Sequence, residues 1–317
     1  MEVLPDSHPY LAETYNDVGV SYSQLGNYEK ALEYELKALI IRERILPENH
    51  FDLASSYNNV GTSYSKLGEY EKALEFQLKA LKIREKVLSE NHPDLALSYN
   101  NAGTSYSKLG EYEKSLEFRL KALKIREKIL SENHPDLASS YNTVGASYSK
   151  LEEYEKALEF RLKALEIRKK ALPENHPDLA ISYNNAAVEY RHLMLYNQAL
   201  DYHMKAVKIY EENLPENSPD LATVYSAAGN TYCESGDCKN ALKFQLKALS
   251  IRQKTLSPTN PLVAKSYFAT GKTYQKSGYK KRAFEYFSKA YEIYQKTLPD
   301  NHPDLIEVKN CLAHYAH

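Results

Sequence analysis

The sequence predicts an all-α protein, folded as a right-handed superhelical solenoid of antiparallel helix hairpins. Three observations predict this fold: a 42-residue internal repeat, tyrosines that keep one register through it, and apolar residues at helical spacing inside each copy. In each copy the first tyrosine is followed seven residues later by a second, and the register holds through seven copies. The first tyrosines are Tyr15, Tyr57, Tyr99, Tyr141, Tyr183, Tyr225 and Tyr267.

The first half of each repeat has the pattern of an amphipathic helix, here called helix A. In the second repeat, the apolar residues recur at spacings of three and four, which place them on one helix face; they are Leu53, Tyr57, Val60 and Tyr64. Four of the eight A helices begin at the letters HPD, in which the proline suits a first turn because its missing N–H would be unpaired there. The aspartate is favourable at the positive end of the helix dipole. Helix A therefore begins at this motif.

The second half of each repeat predicts a helix B, which runs antiparallel to helix A. Gly68 ends helix A of the second repeat, and a new apolar stripe runs from Tyr70 to Leu88. Gly61 and Ala80 are small at positions where two packed helices approach closely, and tyrosine rings fill the space beside them. Each repeat is therefore predicted to be a helical hairpin.

Seven whole repeats are predicted within residues 8–301. They begin at His8, His50, His92, His134, His176, Ser218 and Asn260. Residues 1–7 match the end of a helix B and its loop, and are predicted to be the remnant of a preceding repeat. Residues 302–317 supply a helix A alone, in which Lys309 and Ala316 replace the two tyrosines. This segment is predicted to be a C-terminal capping helix, which solenoids need to close an apolar end.

Composition and charge argue against several classes of function. The 41 lysines and arginines nearly balance 42 aspartates and glutamates, so the net charge of -1 supplies no field for nucleic acid or an anionic membrane. No apolar run is long enough for a membrane span, and the first residues lack the pattern of a secretory signal. The three cysteines, an odd number, fit a reducing compartment better than a disulfide scaffold. We therefore expect a cytoplasmic protein without nucleic-acid or membrane partners.

Residue types that carry out catalysis or bind metal do not form a recognisable motif. The sequence contains no Gly-rich phosphate loop, no GxSxG and no HExxH. Cys233 and Cys238 could be half of a metal site, but no second pair at ligand spacing accompanies them. The recurring histidines occur once per hairpin, too far apart to share one ion, and are interpreted as helix-start residues. We therefore expect no enzymatic activity, no cofactor and no metal.

The order of residues in one repeat resembles the tetratricopeptide repeat. Tyr57, Gly61, Tyr64 and Gly68, followed twice by Ala-Leu, match that motif, which usually spans 34 residues. The 42-residue form, with HPDLA, YNNVG and ALKIREKVL, is most similar to the repeats of kinesin light chains and of nephrocystin-type proteins. The resemblance covers residues 8–317 and implies a protein-binding array. The heptad coiled coil by which kinesin light chains join the motor is missing, so that partner does not follow.

The resemblance also implies which side chains line the concave groove of the solenoid. In the family's binding pattern these are the second, fifth, sixth, ninth, twelfth and thirteenth positions of helix A, in the second repeat Ser55, Asn58, Asn59, Thr62, Ser65 and Lys66. Carried through the repeats, the pattern predicts a peptide-binding set of asparagines and lysines. They are Asn58, Asn59, Asn100, Asn101, Asn142, Asn184, Asn185, Asn230, Lys66, Lys108, Lys150, Lys265, Lys272 and Lys276.

The asparagines and lysines of this set each leave two interpretations open. A mid-helix asparagine lowers helix propensity, and its amide could bond either the backbone of an extended peptide or a neighbouring hairpin. The lysines at the thirteenth position could complement the helix dipole or bind a ligand. Lys265, Lys272 and Lys276 lie on one helix A at spacings of seven and four, and would favour acidic peptides.

The sequence therefore predicts a monomeric, non-enzymatic scaffold whose groove binds an extended segment of a partner protein, with acidic linear segments as the expected chemistry. Two alternatives stay open: homotypic assembly, and a regulatory array within a larger multidomain protein. Selectivity for a partner is expected toward residues 184–276, where groove positions are occupied by Arg191, His192, Asn230, Phe268 and Lys272.

Overall fold

Residues 8–315 of the 317-residue chain are described by the computed structural model, and they form fifteen α-helices. The A helices are α1 (Pro9–Gln24), α3 (Phe51–Lys66), α5 (Pro93–Lys108), α7 (Pro135–Lys150), α9 (Pro177–His192), α11 (Pro219–Glu234), α13 (Pro261–Lys276) and α15 (Pro303–Ala313). The B helices are α2 (Tyr28–Ile45), α4 (Tyr70–Val87), α6 (Tyr112–Ile129), α8 (Tyr154–Ala171), α10 (Tyr196–Asn213), α12 (Cys238–Thr255) and α14 (Lys280–Thr297).

The helices alternate as A and B throughout, and no β-strand occurs among the described residues. The predicted all-α fold of helix hairpins is therefore confirmed. The predicted remnant of a preceding repeat, residues 1–7, lies outside the described residues, as do the last two residues of the predicted capping helix.

The histidine in front of most A helices caps that helix. His50 Nδ1 accepts a hydrogen bond from the Asp52 amide at 3.1 Å. Where the histidine is replaced, Ser218 Oγ and Asn260 Oδ1 accept the equivalent bonds at 3.2 and 2.9 Å. A side-chain acceptor here satisfies an amide that has no partner inside the helix. This bond explains why histidine, serine and asparagine are interchangeable at the position.

The turn between helix A and helix B requires one residue in the left-handed region. Gly68 has a φ of +84°, and its amide donates to the Ser65 carbonyl at 3.2 Å. In the fourth and fifth repeats, Glu152 and Met194 adopt φ values of 60° and 58° instead. A side chain raises the energy of the left-handed conformation by about 1 kcal/mol, so these two turns are less stable than turns with glycine at this position.

Helix A and helix B of one hairpin cross closely at the small residue between the two tyrosines. A Cβ atom added to Gly61 would lie 2.9 Å from Gln77 Cγ. Beside this crossing, the Tyr57 and Tyr64 rings pack on Phe76, with centroid distances of 6.1 and 5.6 Å. The aromatic rings fill the space next to a crossing that only a small residue permits.

The chain forms two compact units, which divide between Ile167 and Arg168 inside α8. In the first unit, Leu39 of one repeat shares a core cluster with Leu53 and Val60 of the next. The second unit ends in a cluster that joins residues of α13, α14 and α15. Within each unit the core is thus layered, with apolar residues shared between successive hairpins, as expected of stacked repeats.

Candidate functional site

The A helices of successive repeats lie side by side within each compact unit. In the first unit α3 contacts both α1 and α5, and in the second α11 contacts both α9 and α13. The second, fifth, sixth, ninth, twelfth and thirteenth positions of these helices are here called the A-helix surface. This surface holds the residues that the sequence predicted as a peptide-binding groove.

Asparagines on the A-helix surface bond neighbouring hairpins to each other. Asn59 Nδ2 donates to Asn16 Oδ1 at 3.1 Å, and Asn101 Nδ2 donates to Asn58 Oδ1 at 3.0 Å. In each pair the donor lies 43 residues after the acceptor, so the bond joins a sixth position to the fifth position of the repeat before. We call this set of bonds the asparagine ladder. Of the two interpretations of the asparagines, the bond between hairpins is present at these two boundaries.

The asparagine ladder is interrupted where the following repeat lacks the donor. Thr143 and Ala227 stand 43 residues after Asn100 and Asn184. The Asn100 side chain makes no hydrogen bond to another described residue, although the residue is half-buried. Asn184 Oδ1 is buried without a hydrogen-bond partner. These two amides therefore keep hydrogen-bonding capacity that the fold does not use.

The remaining predicted asparagines are half-buried and lie in different surroundings. The carbonyl and the side-chain oxygen of Asn142 both accept from Arg161 Nη1, the carbonyl at 2.9 Å. Asn230 Oδ1 accepts from Gln245 Nε2 at 3.4 Å. Asn185 is half-buried on α9. The asparagines of the fifth position thus continue as far as Asn184 and are replaced by Ser226 and Phe268 in the last two repeats, while the bonding partners change from repeat to repeat.

The lysines at the thirteenth position are exposed at the ends of α3, α5 and α7. The Nζ atoms of Lys108 and Lys150 lie 6.0 Å from the ring centroids of Tyr70 and Tyr112, which belong to helix B of the preceding repeat. Neither these two ammonium groups nor that of Lys66 forms an ion pair with a described residue. Their charge is therefore available to a ligand as well as to the helix dipole.

Two of the three lysines predicted in the seventh repeat are engaged by neighbouring helices. Lys272 Nζ forms an ion pair with Glu307 at 2.8 Å, and Lys276 Nζ donates to the Cys233 carbonyl at 2.6 Å. Lys265 is exposed and has no such partner among the residues described. An acidic ligand would therefore find one unengaged ammonium group on this helix rather than three.

Phe268 lies in the core, although the sequence placed it among the groove residues. It is 9% exposed, and its ring centroid is 5.5 Å from that of Phe287. Helix B of the other repeats carries a polar residue or histidine where Phe287 stands. Packing of the two rings against each other removes apolar surface from water, and the fifth position of helix A is therefore buried in the seventh repeat. The prediction for Phe268 is wrong for this reason.

One ion pair on the A-helix surface was missed by the sequence reasoning. Arg191 Nη1 lies 2.6 Å from Glu234 Oε1, so the charge of Arg191, which was recognised as a groove residue, is paired. The two residues are 43 positions apart, the separation that also joins the asparagine pairs. A search for complementary residues at this separation would have found the pair.

No three His, Cys, Asp or Glu side chains of residues 8–315 gather into a group that could hold a metal ion. No helix in this range combines the length and apolar character needed to cross a membrane. Cys233, Cys238 and Cys311 are free thiols.

Sequence profiles identify the family of the repeats. A profile of the tetratricopeptide repeat matches residues 52–128, 101–170, 136–212 and 220–296, and a second profile of the same description matches residues 11–52. The chain belongs to the tetratricopeptide repeat family. The resemblance expected from the tyrosine and glycine pattern is therefore confirmed. No curated protein sequence matches the chain.

Solved tetratricopeptide structures share this fold at low sequence identity. A kinesin light chain-type protein of Podosopora anserina with nearly identical TPR-like repeats is 21% identical, with a TM-score of 0.59 over 65% of this chain and 98% of that one. A tetratricopeptide repeat protein of Parabacteroides merdae is 18% identical, with a TM-score of 0.65 over 97% and 100%. A multidomain signal transduction ATPase of Pyrococcus horikoshii with a tetratricopeptide sensor is 22% identical, with a TM-score of 0.72 over 95% and 44%. These likenesses support the solenoid fold and nothing more specific.

Proposed function

We propose that this tetratricopeptide array is a non-enzymatic protein-interaction scaffold whose A-helix surface binds an extended peptide segment of a partner protein. The most direct support comes from the side chain of Asn100. This residue lies in the middle of a helix and is half-buried, and its side-chain amide makes no hydrogen bond to a described residue. An asparagine in a helix lowers helix propensity. A half-buried amide that makes no hydrogen bond within the protein does not compensate for that loss of stability. A ligand that bonds to this amide would supply the missing compensation.

A peptide backbone suits this amide because it offers both hydrogen-bonding groups. An asparagine side chain carries two N–H donors and a carbonyl acceptor, and an extended peptide presents N–H and C=O groups whatever its side chains are. In the asparagine ladder, Asn58 uses its oxygen and Asn59 uses its nitrogen to join hairpins. The Asn58 nitrogen and the Asn59 oxygen thus keep capacity for a ligand.

Acidic linear segments are the partner chemistry that the lysines support. Lys66, Lys108, Lys150 and Lys265 are exposed and form no ion pair with a described residue. Rim charges of this kind act mainly through the association rate, and salt screens them. Lys272 and Lys276 are expected to contribute less, because each already has a partner within the protein.

We propose that the array works in the cytoplasm as a monomer. The near-neutral charge of -1 and the small number of cysteines support this setting. Homotypic assembly through helix faces is the alternative. Sedimentation equilibrium at micromolar concentrations distinguishes the two, because assembly would raise the measured mass with concentration.

Peptide display on the full chain tests the proposed binding surface. Peptides selected on the wild-type protein are titrated against Asn100→Ala, which removes no bond seen within the described residues. We expect about tenfold weaker binding, or about 1.4 kcal/mol, with unchanged thermal melting. Glu71→Ala, an exposed change on α4, serves as the control and should leave the affinity unchanged.

An Asn100→Ala protein that binds the selected peptides as tightly as the wild type would remove the main support for the proposal. A second titration at higher salt addresses the lysines. Acidic peptides should lose affinity as salt rises, and Lys108→Ala should flatten that dependence. A salt response that Lys108→Ala leaves unchanged would place the charge recognition elsewhere.

A further inference from the structure

One ion pair recurs on the exposed side of the B helices. In six of the seven B helices, a lysine Nζ lies 2.6–2.7 Å from the carboxylate of the residue four positions earlier. The pairs are Lys37–Glu33, Lys79–Glu75, Lys121–Glu117, Lys163–Glu159, Lys205–Asp201 and Lys289–Glu285. An acidic residue four positions before a lysine stabilises a helix, because the two charges attract across one turn. This pair is therefore a regular part of helix B.

The helix α12 lacks this pair because one charge is reversed. Lys243 stands where the other six helices carry the acidic residue, and Lys239 and Lys247 lie four residues to either side of it. No aspartate or glutamate occurs in α12. Like charges at this spacing repel and destabilise a helix. Lys239 also lies in the first turn, where a cation opposes the helix dipole. The lysines of α12 therefore lower the stability of their own helix.

The surrounding protein provides a carboxylate for one of these three lysines. Lys247 Nζ lies 3.2 Å from Glu211 Oε1 of the preceding hairpin and 4.7 Å from the centroid of the Tyr225 ring. Glu211 also accepts from the Tyr225 hydroxyl at 2.5 Å. Lys239 and Lys243 are exposed and form no ion pair with a described residue. Within residues 8–315, no carboxylate therefore pairs with these two ammonium groups.

Three exposed lysines share one side of α12. At about 100° per residue, Lys239, Lys243 and Lys254 lie within about 60° of one another around the helix axis. Lys243 is about 6 Å along the axis from Lys239, and Lys254 is about 17 Å further along. Lys254 is also exposed without an ion pair to a described residue. We call these three residues the lysine face.

We propose that the lysine face binds an acidic segment of a partner protein, one polypeptide chain wide. Carboxylates about 6 Å apart match Lys239 and Lys243, and that spacing belongs to every fourth residue of a helix or every second residue of a strand. The partner would supply the acidic groups that the other six B helices carry themselves. The lysine face belongs to a helix B and not to the A-helix surface, so it is a second binding surface.

Acidic residues on the neighbouring B helices limit the width of the occupant. In register with Lys243 are Asp201 of α10 and Glu285 of α14, and in register with Lys254 is Glu212 of α10. A lipid bilayer or a nucleic-acid duplex is wider than one helix, so its phosphates would approach these carboxylates and be repelled. A single chain that follows α12 avoids them.

The residue types of α12 favour carboxylates over the phosphates of a single-stranded nucleic acid. Proteins that bind single strands stack the bases on exposed aromatic rings, whereas the aromatic residue of α12, Phe244, is buried. The arginine fork is the group best suited to phosphate, and Arg252 is buried and donates to Ser266 at 2.7 Å. The exposed cations of α12 are therefore all lysines. Charge complementarity indicates aspartate and glutamate side chains as the ligands.

A fluorescein-labelled decaglutamate peptide serves as the probe in anisotropy titrations of the full chain at low salt. We expect saturable binding that Lys243→Glu weakens by about tenfold or more, while Lys243→Arg, which keeps the charge, stays within about twofold. Lys82→Glu on α4 is the matched control, because it makes the same charge change at an exposed position four residues before a lysine, Lys86. It should leave the affinity within about twofold. Equal weakening by Lys82→Glu and Lys243→Glu would mean that only net charge matters, and would overturn the proposal.

Thermal melting of the same variant tests whether the fold needs the lysine. Lys243→Glu places an acidic residue four positions before Lys247, as in the other six B helices, so we expect a higher melting temperature together with weaker binding of the probe. A lower melting temperature would show that Lys243 stabilises the protein itself, and would remove the reason to assign it to a partner.

Other outcomes identify a different occupant. An oligothymidylate of similar length, or vesicles of phosphatidylserine and phosphatidylcholine in equal parts, could bind more tightly than decaglutamate and lose that binding in Lys243→Glu. Either result would overturn the choice of an acidic polypeptide. Self-association of the full chain that Lys243→Glu abolishes would make a second copy the occupant and overturn the partner.

The A-helix surface is also expected to bind acidic segments, so the two surfaces need separate variants. Decaglutamate binding that Lys108→Ala abolishes and Lys243→Glu leaves intact would place the probe on the A-helix surface and overturn the lysine face. Asn100→Ala should leave decaglutamate binding within about twofold. Loss of the peptides selected for the groove in that variant, or their retention, does not change the prediction for α12, because Asn100 lies on α5.

Discussion

A single buried oxygen shows what the asparagine ladder requires. Asn16 and Asn58 each accept from an asparagine 43 residues later, whereas Ala227 follows Asn184 at that separation. Asn184 Oδ1 is consequently buried without a partner. A buried acceptor without a donor lowers stability by about 1 to 3 kcal/mol, so this position is a local weakness of the second compact unit.

Ala227→Asn should complete the ladder at this position. The new Nδ2 group would donate to Asn184 Oδ1, and its stabilisation should exceed the loss of helix propensity. Ala269→Asn is the matched control, because the residue 43 positions earlier is Ser226 rather than asparagine. In urea denaturation we expect the Ala227 variant to be about 1 kcal/mol more stable than the control variant. Equal stabilities would mean that the two side chains do not meet.

His203 is a second residue whose polar atoms the fold leaves without a partner. Its side chain is fully buried, and neither ring nitrogen has a hydrogen-bond partner. Burial, and to a smaller extent the charge of Arg191, lowers the pKa of His203 to about 3. In the unfolded chain the imidazole has a pKa of about 6.5. Between these values the unfolded chain binds more protons, so stability must fall as the pH falls.

His203→Gln should remove this pH dependence. From pH 7 to pH 5, the wild-type protein should lose about 2 kcal/mol of unfolding free energy through His203 alone, and the variant should keep it. The new amide can also accept from the Thr231 hydroxyl, as Gln245 accepts from Thr273 at 2.8 Å. Urea denaturation at the two pH values measures both effects. His314→Gln, an exposed change, should behave as the wild type. A pH response that His203→Gln leaves intact would contradict the assignment.

At the scale of helices, each boundary between hairpins has its own matched pair of facing side chains, one from helix B and one from the following helix A. No single contact is common to all boundaries. Arg252 donates to Ser266 at 2.7 Å at one boundary, and Tyr210 stands opposite the buried Val224 at another. A buried cation without its acceptor is far less stable than either matched pair. The identity of helix B therefore restricts which helix A can follow it.

Exchange of one pair for the other tests this matching. Ser266→Val alone should lower stability by about 2 kcal/mol, because it leaves the Arg252 guanidinium buried without its acceptor. Arg252→Tyr combined with Ser266→Val should recover most of that loss by recreating the Tyr210–Val224 pair. A double-mutant cycle from denaturation curves gives the coupling energy. Additive losses in the double variant would show that the residues act independently.

At the scale of the whole molecule, the repeats should tolerate the loss of one member when the boundary chemistry still matches. Deletion of residues 92–133 would place α7 directly after α4, with Ser140 opposite Arg84 and Ser147 opposite Gln77. Both are serines, as in the native boundary. We therefore expect helicity per residue to be kept and the melting temperature to fall, because one nearest-neighbour interface is lost.

Circular dichroism during a thermal scan measures both quantities. Deletion of residues 96–133, four residues fewer, is the control, because it breaks the 42-residue register and misaligns every pair at the new boundary. Loss of cooperative melting in the in-register deletion, to the same degree as in the control, would mean that the array does not fold by nearest neighbours.

The sequence predicted the hairpins well because their causes are local. Helical spacing, the left-handed residue at each turn (glycine at five of the seven turns) and the small residue at each crossing act within about one repeat, and the structure shows each in its expected place. The same reasoning failed for Phe268, whose position depends on Phe287 in the next helix. It left the asparagines with two interpretations, because their partners lie 43 residues away and bond only if two A helices stand side by side.

The order of residues within the repeat, together with its period, therefore determined the family, the order of helices and the helix faces that become buried. Only the tertiary structure decided which polar groups those faces leave unsatisfied. Asn58 and Asn100 occupy the same position in successive repeats, yet only the first accepts from an asparagine of the next hairpin. The hydrogen bonds that each asparagine makes depend on the neighbouring repeat, so the same residue in nearly the same local sequence can differ in its partners.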